Sequence, residues 1–116
     1  MATFIFDAPA LFDAEALTPF ARQKRVMGWL RDRLAARGVV AFGPAAEASG
    51  WSLAVNAEDG FVAILLDRTG GGDRPFTVKV DRFGGAEPEY EDTVAAFEDA
   101  LSGSDAVDLV GCDLRA

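Results

Sequence analysis

The sequence contains no histidine, and Cys112 is its only cysteine. Without an imidazole there is no Ser-His-Asp or Cys-His nucleophile system, no histidine general base and none of the common zinc sites. A lone cysteine excludes an internal disulfide and with it a framework built for an oxidising compartment. Its neighbours Asp108 and Asp113 are expected to raise the thiol pKa, which disfavours a reactive thiolate. Long apolar runs are also missing. Nothing approaches the ~20 residues of a membrane-spanning helix. The opening Met-Ala-Thr-Phe-Ile-Phe-Asp has neither the basic flank nor the apolar core of a signal peptide. The expectation is a cytoplasmic protein with no membrane partner.

Positive charge is scarce: 11 Lys and Arg stand against 19 Asp and Glu, a net of −8. Because a phosphate backbone is held by placed cations, nucleic acid is not an expected partner. The split along the chain says more than the total. Residues 1–38 hold Arg22, Lys24, Arg25, Arg31, Arg33 and Arg37 against Asp7, Asp13, Glu15 and Asp32, a balance of +2; residues 39–116 hold five bases against fifteen acids, a balance of −10. One basic helix on an acidic body is the implied layout, and an acidic body suits a basic protein partner or simply solubility.

Half the residues are apolar, and 116 residues form one domain able to bury roughly two-thirds of the surface its unfolded chain exposes. The organising stretch runs from Trp51 to Phe83. Trp51-Ser-Leu-Ala-Val55 alternates, Phe61 to Leu66 is unbroken apolar, and Phe76-Thr-Val-Lys-Val80 alternates again, which reads as an antiparallel meander. Its first turn contains Ala57-Glu58-Asp59-Gly60, with Gly60 available for positive φ. A two-residue Asp59-Gly60 loop sets Trp51, Leu53 and Val55 on one face with Val62, Ile64 and Leu66. A three-residue loop from Glu58 to Gly60 sets them instead with Phe61, Ala63 and Leu65. Either way one apolar row is left for the other face, to be covered by another segment or to serve self-association.

Thr18-Pro19 is a capped helix start, followed by Phe20, Val26, Met27, Leu30 and Leu34 at helical spacing, with Gly38 as the stop. Trp29 falls at the side of that stripe. Pro88 opens a second helix with Tyr90, Val94, Phe97 and Leu101 on its inner face, acids Glu89, Glu91 and Asp92 in its first turn, and Gly103 at its end. Thr3 to Phe6 reads as a first or edge strand. A turn of helix is expected within 10–17, Val39 to Phe42 as a β-prone opening before Gly43-Pro44 turns the chain, and residues 45–50 as a linker. Residues 104–112 suit either a short helix or a strand. The fold class is therefore α+β: an antiparallel sheet of four to five strands around the meander 51–83, with helices at 19–37 and 88–102 packed mainly on one face.

Chemistry-bearing clusters are few. Gly70-Gly71-Gly72 lacks the lysine and Ser/Thr of a phosphate loop and is flanked by Asp67 and Asp73, which repel an anion, so it reads as a hairpin loop. Asp67 with Asp73, or Glu87 with Glu89 and Glu91, fall in a turn and at a helix start, where acids serve solubility and the helix dipole. No catalytic residue, metal ligand or cofactor is expected, and the chain reads as a non-enzyme. The basic face of the first helix reads as solvated. Trp51 is either core or an interface anchor.

The pattern Gly50-Trp51-x-Leu53-x-Val55, a turn through Asp59-Gly60, the run to Leu66 and Phe76-x-Val78-x-Val80 resembles small uncharacterised bacterial α+β proteins. In general layout the chain is also similar to acidic immunity proteins that neutralise secreted bacterial toxins. The likeness covers about 35 residues of strand patterning and brings no diagnostic motif. It implies a protein-interaction module with an acidic surface, Glu87, Glu89, Glu91, Asp92, Glu98 and Asp99, facing a basic partner, with Trp51 as a further contact. The alternative expectation is a homodimeric small-ligand-binding or regulatory domain using Trp51 and the spare apolar sheet face.

Overall fold

The computed structural model describes residues 1–8, 18–47, 50–67 and 76–114. The helical turn expected within 10–17 and the loop through 70–73 lie outside them. The order of elements is β1 (Ala2–Asp7), α1 (Pro19–Ala35), β2 (Phe42–Glu47), β3 (Gly50–Ala57), β4 (Gly60–Asp67), β5 (Phe76–Gly84), α2 (Glu87–Ser102) and β6 (Asp108–Asp113). The strands form one open sheet of six, in the order β2-β3-β4-β5-β1-β6, with every neighbouring pair antiparallel.

The meander forms because period-two alternation gives each strand one continuous apolar row. Trp51, Leu53 and Val55 pair with Leu66, Ile64 and Val62. Val78 and Val80 continue the row on β5, and Phe4 and Phe6 continue it on β1. All of these side chains are buried. The helices roof this face only. α1 contributes Val26, Met27, Leu30 and Leu34, and α2 contributes Tyr90, Phe97, Ala100 and Leu101, all buried. Phe97 lies on Phe4 with ring centroids 4.7 Å apart.

Both helix ends follow from local chemistry. Thr18 accepts a hydrogen bond from the Ala21 N–H at 3.2 Å, which satisfies one of the free donors of the first turn. After the last turn Gly38 takes φ +83°, and the Val39 N–H returns to the Leu34 carbonyl at 2.9 Å. α2 begins without a side-chain cap, and Glu87 and Glu89 in its first turn face the positive end of the helix dipole. Within α2, Thr93 is fully buried and satisfies its hydroxyl on the Glu89 carbonyl at 2.6 Å.

Three expectations need correction, and two open alternatives are decided. The sheet has six strands rather than four to five, because residues 42–47 pair with β3 instead of acting as turn and linker. Proline without an N–H is tolerated on an outer strand, and Gly43-Pro44, a cis peptide, sits there beside a register shift between Phe42 and Ala45. A Cβ on Gly43 would stand 2.7 Å from the Ser52 carbonyl oxygen, so the strand passes only because this residue is glycine. Of the alternatives for Thr3 to Phe6, β1 is the first strand of the chain and not an edge, since it lies between β5 and β6. Of the alternatives for 104–112, the strand is the one formed, over 108–113, completing the sheet beyond β1.

The second correction concerns the first hairpin. Ala57 pairs with Gly60, so the two-residue loop is Glu58-Asp59 and the register differs by two from the Asp59-Gly60 alternative. A shift of two preserves faces, so Trp51, Leu53 and Val55 do share a side with Val62, Ile64 and Leu66. Gly60 does not take a positive φ. It is needed because a Cβ there would collide with the carbonyl of Phe83 on the neighbouring strand. Finally, Phe20 is not core: it is 44% exposed and lies on the Trp51 ring at 4.5 Å between centroids.

Candidate functional site

α2 carries the six acids on its solvent side, and helical spacing sorts them into two flanks. Glu87, Glu91 and Glu98 fall together four and seven residues apart, while Glu89, Asp92 and Asp99 fall together on the flank toward the end of α1. The structure gives them unequal roles. Glu87 pairs with Arg82 at 3.3 Å, and that guanidinium also stands 5.6 Å from the Tyr90 ring centre. Asp99 accepts from Arg37 Nε at 2.6 Å, and Arg37 Nη1 donates to the Arg33 carbonyl at 3.0 Å. This Arg37 bridge ties the end of α1 to the last turns of α2.

Glu89 is half-buried, and its Oε2 is buried with no hydrogen-bond partner. With Asp92, Thr93, Gly38, Val39, Val40, Val55 and Asn56 it lines a cleft of about 240 Å³ between α1, α2 and the end of β3. A second cleft of about 350 Å³ follows along α2, lined by Arg37, Asp92, Ala95, Ala96 and Asp99 among others. Glu91, Asp92 and Glu98 are exposed and make no ion pair with a described residue. Of the six these three are the carboxylates available to an outside cation, Asp92 in the walls of both clefts and Glu91 and Glu98 on the other flank of the helix. Among the described residues no group of three carboxylates or thiols converges as a metal set.

Trp51 is elsewhere. It sits near the start of β3, four residues and roughly 13 Å along the strand from Val55 in the cleft wall. It is 6% exposed, covered by Phe20, with Lys24 Nζ 5.6 Å from its ring centre. Its Nε1 is buried without a partner. The structure therefore does not bring Trp51 together with the acids, and it does not place Trp51 on the spare sheet face either. The reason is parity: Trp51 belongs to the row under the helices.

The spare face carries the leftover row. Phe42, Phe61, Leu65 and Phe83 are 57%, 43%, 36% and 46% exposed, with Phe61 and Phe83 stacked at 4.9 Å between centroids. Sequence reading located Phe61, Ala63 and Leu65 but not Phe42 or Phe83. Phe83 was detectable in principle, since it shares parity with Lys79 and Asp81 across from Phe61.

The basic groups of α1 have structural work. Arg31 Nη1 donates to the Gly43 carbonyl at 2.7 Å, which fastens α1 to β2 at the kink. Lys24, Arg25, Gly28, Arg31, Ala21 and Pro44 border an open groove of about 360 Å³. Trp29 is half-buried against the core, with the Arg33 guanidinium 5.6 Å from its ring centre. Cys112 is exposed, and its pKa is raised by partial burial first and then by the charges of Glu98 and Asp113. Asp113 acts as expected; Glu98, from α2, takes the part expected of Asp108.

Fold and surface together define a two-layer α+β protein with a roof of one basic and one acidic helix and a bare second sheet face. Comparison with protein-family models, with curated proteins and with solved structures finds no match. No helix among the described residues is long and apolar enough to cross a membrane.

Proposed function

We propose that this protein is a non-enzymatic interaction module that binds a basic protein segment along the outer surface of α2, in the manner of an immunity-like inhibitor. The observation that carries the reading is the trio Glu91, Asp92 and Glu98, exposed and in no ion pair with a described residue, Asp92 lining two clefts on one flank of α2 and Glu91 and Glu98 standing on the other, while the neighbouring Glu87 and Asp99 are held by internal arginines. Exposed carboxylates along one helix of a body of net charge −8 attract a cationic partner and speed its encounter more than they strengthen the final complex. The cleft walls of Val39, Val40 and Val55 supply apolar contact for the stem of a lysine or arginine whose head reaches Asp92. The absence of histidine from the chain fits binding better than acid-base chemistry.

The test compares the native chain with an E91K/D92K/E98K variant as immobilised baits, at about 50 mM and about 500 mM salt, where the screening length falls from roughly 14 to 4 Å. Partners held by the native chain are expected to be lost from the variant and at high salt, and the purified pair to show the same dependence. Partners retained equally by both baits at both salts overturn the proposal.

A further inference from the structure

The bare face of the sheet presents a surface that nothing in the acidic-partner reading uses. Its four exposed large side chains, Phe42, Phe61, Leu65 and Phe83, lie on β2, β4 and β5 with Ala54 and Ala63 between them in the register. At 150–250 Å² per aromatic side chain, their exposed fractions amount to roughly 350 Å² of apolar surface. A patch of this size falls in the range of the largest apolar patch on a typical single chain, which is often functional. Six strands spaced ~4.8 Å apart and up to about 27 Å long give the face a geometric footprint of roughly 650 Å², close to the ~800 Å² per partner of a stable interface.

Charge decides what the occupant is. The outer surface of α2 is acidic and repels its own kind, whereas at the middle of the bare face Lys79 and Asp81 stand two residues apart on one strand, on the same side, with opposite signs. The Lys79 side chain makes no hydrogen bond or ion pair with a described residue. Among the described residues the Asp81 carboxylate accepts only from the Arg82 backbone N–H, at 2.9 Å. We infer that the occupant is a second copy of this chain, packed face to face about a twofold axis that lies midway between the two sheets and passes over β5 at Val80. An axis there, parallel to the sheets and perpendicular to the strand, sets position 79 of each copy opposite position 81 of the other, so each lysine meets the partner's aspartate and the pair of contacts is isologous. Sheets stacked this way lie ~10 Å apart, a spacing filled by side chains of phenylalanine and leucine size. The pairing leaves α2 outermost on both copies, so it neither requires nor obstructs the acidic surface.

The test is sedimentation velocity with light scattering on the full chain over a concentration series. The native protein is expected to be a dimer. K79D places aspartate against aspartate and D81K lysine against lysine, and each alone is expected to weaken the dimer by roughly 100-fold. Mixing the two variants restores both opposite-charge contacts, so an equimolar mixture is expected to recover the dimer although neither component forms it. Circular dichroism of each variant confirms that its fold is intact. A native chain that stays monomeric at several hundred micromolar, a dimer indifferent to both substitutions, or a mixture that stays monomeric would each overturn the inference. E91K/D92K/E98K is expected to leave the dimer unchanged, which separates this result from the fate of the acidic-partner reading.

Discussion

Every functional assignment above depends on which side of the sheet is inside, and paired truncations of two phenylalanines measure that directly. Phe97 on α2 is 0% exposed and stacks on Phe4, while Phe83 on the bare face is 46% exposed and stacks on Phe61. Truncating Phe97 to alanine removes a ring surrounded by protein and leaves a cavity, for which about 3–5 kcal/mol is expected. Truncating Phe83 removes a ring half in water, and solvent fills the space. Its loss is about half of a full phenylalanine burial without a cavity cost, or roughly 0.8–1.5 kcal/mol. The assay is urea unfolding followed by circular dichroism, at protein concentrations low enough to keep self-association out of the transition. With a slope near 1–3 kcal/mol per molar urea, Phe97→Ala is expected to lower the midpoint by roughly 1.5–3 M and Phe83→Ala by less than half as much. Equal shifts, or a larger one for Phe83→Ala, would refute the one-sided roof and with it the bare face and the outward direction of the α2 acids.

Two further outcomes are expected. Because partial burial and the charges of Glu98 and Asp113 hold the Cys112 thiol above its ordinary pKa, alkylation by iodoacetamide near pH 7.5 should be slower in the folded chain than in urea; an equal or faster folded rate would contradict that environment. Gly60→Ala should destabilise the protein well beyond the ~1 kcal/mol span of strand propensities, because its methyl meets the Phe83 carbonyl, and a variant as stable as the native chain would show that the hairpin register is wrong.

The meander was legible because each of its strands announces itself locally, by alternation or by an unbroken apolar run between glycines. The start of α1 was legible because Thr18-Pro19 is a complete cap in two residues. β2 was hidden by Gly43-Pro44, which reads as a turn unless one knows that the strand is outermost, and outermost is a tertiary fact. The hairpin shows a subtler failure. Glycine at position 60 of a hairpin suggests a positive backbone angle, whereas its role is to leave room for a neighbouring carbonyl, which no local pattern records. The acids of α2 were visible as charges, but the sequence could not divide them into paired and unpaired. Asp99 is held by an arginine 62 residues away, and Glu87 by one on the preceding strand.

The kink at Gly43-Pro44 has a consequence for how this molecule can multiply its contacts. An uncapped sheet tends to recruit further strands at its rims and so to grow into filaments. Here one rim lacks a donor at Pro44 and loses register beside it, and the opposite rim bears Asp108 and Asp113 and shifts register opposite Ile5 and Phe6. Lateral templating is thus obstructed at both margins, and any assembly the sheet supports is steered toward a closed pair rather than an endless ribbon.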